Sequence, residues 1–127
     1  MSVKAVRQTE IGAIIERLLA LDEPARRELV RQDAARDWVA LASTLAERVR
    51  EEVRVDTARA RQLAELAITI AETIGNPLAL ARSLRAKANA LYALDQHAAA
   101  IDMHAQAVAL FETAGDEAEL EIGIAHV

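Results

Sequence analysis

Ten residues of this chain align with ten others forty positions further on, with identical Ala, Glu, Thr and Gly at four of the positions. Ala67-Ile68-Thr69-Ile70-Ala71-Glu72-Thr73-Ile74-Gly75-Asn76 is matched by Ala107-Val108-Ala109-Leu110-Phe111-Glu112-Thr113-Ala114-Gly115-Asp116. Leu80 and Leu120 keep the same offset. The turn residues Asp56 and Asp95 lie 39 apart, so the unit varies by one residue in its inner turn. A period of this length implies a helix–turn–helix unit that buries its apolar face on the next unit in line. The chain is therefore expected to be a stack of antiparallel helix hairpins.

Helical spacing of apolar residues supports this along the whole length. From about Thr9 to Leu21, the residues Ile11, Ile14, Ile15, Leu18 and Leu19 form one stripe. Asp22-Glu23-Pro24 reads as a stop and restart, with Asp22 as N-cap of a short helix near Ala25–Gln32 that buries Leu29 and Val30. Residues 33–36 contain no breaker. A helix from Asp37 to about Arg54 turns Trp38, Leu41, Ala42, Leu45, Val49 and Val53 inward. Asp56 caps the next, Thr57–Ile74, which buries Ala60, Leu63, Ala67 and Ile70. Gly75-Asn76-Pro77 combines a helix-ending glycine, an N-cap and a proline at the first helical position. The following helix runs from Pro77 to Leu94 and packs Leu80, Leu84, Ala88 and Leu91. Asp95 is expected to cap Gln96–Ala114, Gly115 to close it, and Asp116 with Glu119 to form a capping-box variant before a last segment ending at Val127. No stretch sustains the period of two that a strand requires. Abundant alanine, which favours helix and close helix approach, agrees with an all-α chain.

Residues 77–116 resemble a tetratricopeptide repeat, and 81–114 carry the likeness. Leu84, Ala88 and Leu91 fall where that family places large, small and large residues in its first helix. Ala100 and Ala107 fall at the small positions of the second, where paired helices touch. His104 stands at the tyrosine-like position and Glu112 where the family closes with proline. Residues 38–76 resemble a divergent repeat and 117–127 the truncated start of a further one, behind a helical leader or cap at 1–37. The resemblance implies an antiparallel helix-hairpin stack, a tetratricopeptide-like α-solenoid whose first helices line a concave groove. The 40-residue spacing, the two glycine junctions and the leader before Trp38 are similar to the N-terminal repeat region of bacterial proteins with a C-terminal caspase-like CHAT domain. That implies the N-terminal segment of a longer protein. Arg outnumbers Lys 13 to 2, which with abundant Ala points to a GC-rich bacterial source.

Residues suited to chemistry are sparse. The absence of cysteine removes disulfides, thiolate metal sites and thiol nucleophiles together. His97 and His104 are seven apart, too far for the i, i+3 or i, i+4 grip of a helical metal site, and these two and His126 are expected in water or at a pocket edge. Gly12, Gly75, Gly115 and Gly123 are isolated, so no glycine loop can cradle phosphate; Ser2, Ser43 and Ser83 have no base nearby in sequence. No catalytic residue, metal or cofactor is expected, and the chain reads as no enzyme. A net charge of −5 gives no general attraction to nucleic acid or an anionic membrane. No apolar run approaches the roughly 18 residues of a membrane span. Met1–Arg7 is not followed by an apolar signal core, which makes a cytoplasmic protein the expectation. Arg48, Arg50, Arg54, Arg59 and Arg61 form a dense cluster, but Glu47, Glu51, Glu52 and Asp56 nearly neutralise it, as intrahelical ion pairs would.

The register that the tetratricopeptide resemblance implies turns Arg82, Arg85, Asn89 and Tyr92 towards the groove, with Arg50 at the corresponding place one unit earlier. Guanidinium pairs with carboxylate and Asn bonds peptide backbone, so this face suits a protein or peptide ligand of acidic character. A protein–protein interaction or scaffold module is the function expected. One alternative is self-assembly. Leu120, Ile122, Ile124 and Val127 have no following helix to cover them, which implies a homodimer of the isolated chain. A nucleic-acid-binding helical repeat has only the arginine cluster in its favour, without a net basic stripe or stacking aromatics.

Overall fold

The computed structural model describes residues 3–115, with side chains from Gln8 onward. Six helices follow in order: α1 (Val3–Ala20), α2 (Glu23–Gln32), α3 (Trp38–Glu52), α4 (Thr57–Ile74), α5 (Pro77–Ala93) and α6 (His97–Ala114). There is no strand among the described residues, and no helix there is long and apolar enough to cross a membrane.

Short polar side chains set most of the boundaries. Asp22, Asp37, Asp56 and Asn76 each accept a bond from the backbone N–H three residues on, at 2.9, 3.0, 3.1 and 2.9 Å. Each satisfies a donor that the first helical turn leaves open. Gly75 (φ 68°) and Gly115 (φ 74°) close α4 and α6 in the left-handed region, where a side chain would be strained. One turn earlier, the Thr73 hydroxyl donates to the Thr69 carbonyl at 2.7 Å and that of Thr113 to Ala109 at 2.9 Å. The two copies of the ten-residue match thus end their helices in the same way.

Two boundaries depart from expectation, and a third, between α2 and α3, falls where it is expected although the segment holds no breaker. Helix α1 starts at Val3 instead of Thr9, because residues 4–8 lack an apolar stripe yet contain nothing that stops a helix. Between α2 and α3 the break is made by side chains of residues 33–38 themselves. The Trp38 indole donates to the Asp33 carbonyl at 2.7 Å, Arg36 pairs with the Asp33 carboxylate at 3.1 Å, and Asp37 caps α3. Asp95 does not cap α6. It sits at φ 61°, where its backbone N–H donates to the Tyr92 carbonyl at 3.1 Å as α5 unwinds. A residue in that left-handed position cannot also take the extended backbone an N-cap needs, so the N-cap falls to Gln96, whose side chain makes no capping bond.

Helix α4 is central: it packs on α3 and α5 and also meets α1 and α2. It therefore buries a wider face than the four expected residues, adding Ala64, Leu66, Thr69 and Ala71. The main core joins Ile14, Ile15 and Leu18 of α1 to Leu41, Leu45 and Val49 of α3 and Leu63, Leu66 and Ile70 of α4. A second cluster, Ala81, Leu84, Ala107 and Phe111, locks α5 to α6. Helix α2 is fastened to α4 by polar contacts. Thr69 donates to Glu23 at 2.7 Å, and Arg27 lies 3.1 Å from both Glu23 and Glu72. The hydrogen bond to Glu72, foremost, holds the Arg27 guanidinium above its ordinary pKa against the lowering effect of burial. Arg26 donates to the carbonyls of Leu18 (2.8 Å) and Leu19 (3.1 Å), closing the last turn of α1.

Ala67, Ala100 and Ala107 are 0%, 1% and 0% exposed, so these small residues are turned inward, Ala107 among Ala81, Leu84 and Phe111. Ala107→Leu should drive a branched side chain into Leu84 and Phe111 and lower stability by about 1–3 kcal/mol. Urea unfolding reads this directly; an unchanged midpoint would mean that the α5–α6 contact yields without strain.

Candidate functional site

Helices α3 and α5 lie side by side and leave a groove of about 320 Å³ between them. Its walls are built in pairs. Ser43 and Arg82, Ala46 and Arg85, Glu47 and Ala86, and Arg50 and Asn89 are each 39 residues apart, one member on α3 and the other on α5. The two helices therefore present equivalent faces, and the equivalent positions carry different chemistry. Among the described lining residues are three guanidiniums and one carboxamide, with Ser43 adding a hydroxyl and Glu47 a carboxylate.

The arginines are not equally placed. Arg85 is only 9% exposed, and its guanidinium carbon lies 5.3 Å from the centroid of the Phe111 ring. A cation over an aromatic face is held electrostatically as well as by packing. Arg82 and Asn89 are half-buried, whereas Arg50 is exposed. Arg82 and Arg85 each already take part in interactions within the protein.

Four of the five expected groove residues, Arg50, Arg82, Arg85 and Asn89, are brought together; Tyr92 is not. By the spacing of 39 its counterpart on α3 is Val53, the C-cap, so the opposite wall ends where Tyr92 begins. Tyr92 is 64% exposed and stacks on His97, with ring centroids 4.4 Å apart and planes 20° from parallel. Ser43 and Glu47 were not singled out as groove residues. The 39-residue spacing from Arg82 and Ala86 is the signal that finds them.

Other expectations fare differently. Of the arginine cluster, Arg61 pairs within its own helix with Glu65 at 3.0 Å. Arg59 instead pairs with Glu16 of α1, and Arg48 donates to Gln8 of α1 at 3.2 Å. These two act between helices and tie the leader down, which periodicity along one helix could not indicate. They border a second cleft of about 350 Å³, also lined by Glu51 and Glu52, in which both signs of charge are present. His104 is not solvated: it is 6% exposed and lies in the inward stripe of Ala100, Ala107 and Phe111. Position 104 belongs to the face of α6 that meets α5, whereas His97, at the helix start, is exposed. Among the described residues no three His, Asp or Glu side chains are grouped to hold a metal. Leu120, Ile122, Ile124 and Val127, with the capping pair Asp116 and Glu119 and the truncated segment 117–127, lie outside the described residues.

Compared with models of protein families, with curated proteins and with solved structures, the chain finds no match, and the groove must be read from its own residues.

Proposed function

We propose that this chain is a protein-interaction module of tetratricopeptide type, binding an extended, acidic segment of another polypeptide in the groove between α3 and α5. The observation that carries this reading is the convergence of Arg50, Arg82, Arg85 and Asn89 on one groove whose walls repeat at 39 residues. Support for the repeat comes from the matched glycine closures at Gly75 and Gly115, from the pairwise packing of α3–α4, α4–α5 and α5–α6, and from α3 lying against α5 across the intervening helix. In this reading the guanidiniums take side-chain carboxylates and the Asn89 amide spans a peptide group, since it both donates and accepts. Because Arg82 and Arg85 already have interactions, ligand carboxylates exchange with existing partners. That exchange keeps affinity modest and makes it depend on charge.

A fluorescein-labelled decapeptide of alternating Glu and Gly is a suitable probe. Arg50→Ala and Arg82→Ala should each weaken its binding by roughly ten- to a hundredfold, the value of one charge-assisted hydrogen bond. Arg31→Ala is the matched control, because Arg31 is 59% exposed on α2 and meets only Glu28, at 3.7 Å, among the described ion pairs. Arg26 is unsuitable as a control, since it closes α1. Equal losses from all three variants would reduce the effect to general charge attraction and remove the groove from consideration.

A further inference from the structure

We infer that the turn between α5 and α6 is a docking site for an arginine side chain of another polypeptide, received by the ring of Tyr92 and the carboxylate of Asp95. This site is distinct from the α3–α5 groove, whose opposite wall stops before Tyr92, and it takes a ligand of the opposite charge.

Three side chains are gathered where α5 gives way to α6. Tyr92 stacks on His97 with ring centroids 4.4 Å apart, and His97 Nε2 lies 3.4 Å from Asp95 Oδ1. Stacking covers one face of the Tyr92 ring, yet the residue is 64% exposed, so its other face is in water. The Asp95 side chain is 96% exposed. An aromatic face and a carboxylate side by side both attract a cation. Arg85 is two turns back on α5, roughly 10 Å along the helix axis. That is about one Debye length at physiological salt, so its charge is largely screened from the turn.

Asp95 marks the turn as more than a chain reversal. Its backbone is at φ 61°, a conformation that glycine adopts without strain, and glycine does close α4 and α6 at Gly75 and Gly115. Here the position carries a carboxylate instead. That carboxylate makes no capping bond to α6, and among the described ion pairs it meets only His97.

The geometry favours arginine over lysine. A guanidinium is planar and weakly hydrated, so it can lie flat on the open face of Tyr92 while its edge forks onto the Asp95 oxygens. An ammonium is a compact, strongly hydrated point charge and gains less from a flat ring. Ile101, one turn beyond His97 on the same side of α6, is 55% exposed and offers apolar surface to the methylene stem of the incoming side chain.

The test uses blocked pentapeptides, Gly-Gly-X-Gly-Gly, where X is arginine, lysine or citrulline, titrated into the whole chain and followed by NMR. Tyr92 is the only tyrosine, so its ring signals report on the site without ambiguity. The arginine peptide should shift them saturably, and its δ-methylene protons should move upfield under the ring current. The lysine peptide should bind more weakly, and citrulline, planar but uncharged, should leave Tyr92 unmoved. Tyr92→Ala, read through the His97 ring, and Asp95→Asn should each weaken the arginine peptide by about two- to fivefold, the scale of one exposed cation–π contact or ion pair. Tyr92→Phe keeps the ring and should bind as the parent does. Asp95→Gly should weaken binding as Asp95→Asn does without lowering the melting temperature, because glycine fits the left-handed turn. Glu10→Gln is the control, since Glu10 is exposed and outside the described ion pairs.

Equal losses from Glu10→Gln and Asp95→Asn would mean general attraction to an acidic chain and would overturn the site. So would equal shifts from the citrulline peptide, full binding by Tyr92→Ala, or a Tyr92 ring that no peptide moves. A lysine peptide as tight as the arginine one would overturn the guanidinium assignment. Each of these outcomes leaves the groove reading intact, because the Glu-Gly decapeptide is read through Arg50 and Arg82 at a different place.

Discussion

Replacing Phe111 with Ala should cost about 3–5 kcal/mol and lower the melting temperature by roughly 10–20 °C. Phe111 is completely buried and is the one large ring in the cluster that joins α5 to α6, where its neighbours Ala81 and Ala107 are too small to fill the void. A cavity bounded by rigid helix backbone relaxes poorly, which puts the cost at the upper end of such substitutions. The same ring lies beneath the Arg85 guanidinium, 5.3 Å away. Its removal should therefore also loosen the floor of the groove and weaken the acidic decapeptide. Phe111→Leu separates the two effects, because it restores most of the volume without the aromatic face. Stability should largely return with Leu while peptide affinity stays reduced. If affinity returned in full with Leu, the cation–π contact would have no part in the site.

Ala67 and Ala107 occupy the same place in the two copies of the ten-residue match, and both are 0% exposed. Burial at that register could be read from the chain alone, because the repeat and the helical period agree there. The extent of α4 was legible for a similar reason: Asp56 and Gly75 bracket Thr57–Ile74 with local capping chemistry that needs no distant partner. Where a boundary depended on competing local contacts, the sequence misled: the start of α6 depends on which of Asp95 or Gln96 takes the left-handed turn. The groove was legible as a stripe along α5, since Arg82, Arg85 and Asn89 are spaced by three and four. Its length was not. That is set by where α3 stops, at Glu52, and it leaves Tyr92 outside. Nor could periodicity reveal that Arg48 and Arg59 reach to α1, because a single helix does not show what packs across it.

Leu18→Ala should release α1 before the rest of the chain unfolds. Leu18 is 0% exposed, and losing its side chain costs about 2–5 kcal/mol where it packs. Beyond Leu18, helix α1 is held in the core chiefly by Ile14 and Ile15, and it touches α4 only sparingly. Ile11 and Leu19 pack only at the edge of that core, and polar ties among the described residues, partly in water, join Glu16 to Arg59, Gln8 to Arg48, and the Leu18 and Leu19 carbonyls to Arg26. Exposed pairs of the first two kinds contribute about 0–1 kcal/mol each, too little to hold the helix once its central apolar contact is gone. By contrast, α4, α5 and α6 share buried contacts that Leu18 does not reach, including the whole cluster around Phe111. Amide exchange should therefore quicken in α1 by at least roughly thirtyfold, the equivalent of 2 kcal/mol, while α4 to α6 keep most of their protection. The exposed faces of Leu63 and Val49 should then bind a hydrophobic dye without loss of the helical signal from the remaining chain. If exchange instead quickened equally in α1 and α4, the leader would belong to one cooperative unit with the groove-bearing helices. Its three inward residues would then be as essential to the α3–α5 groove as the groove's own walls.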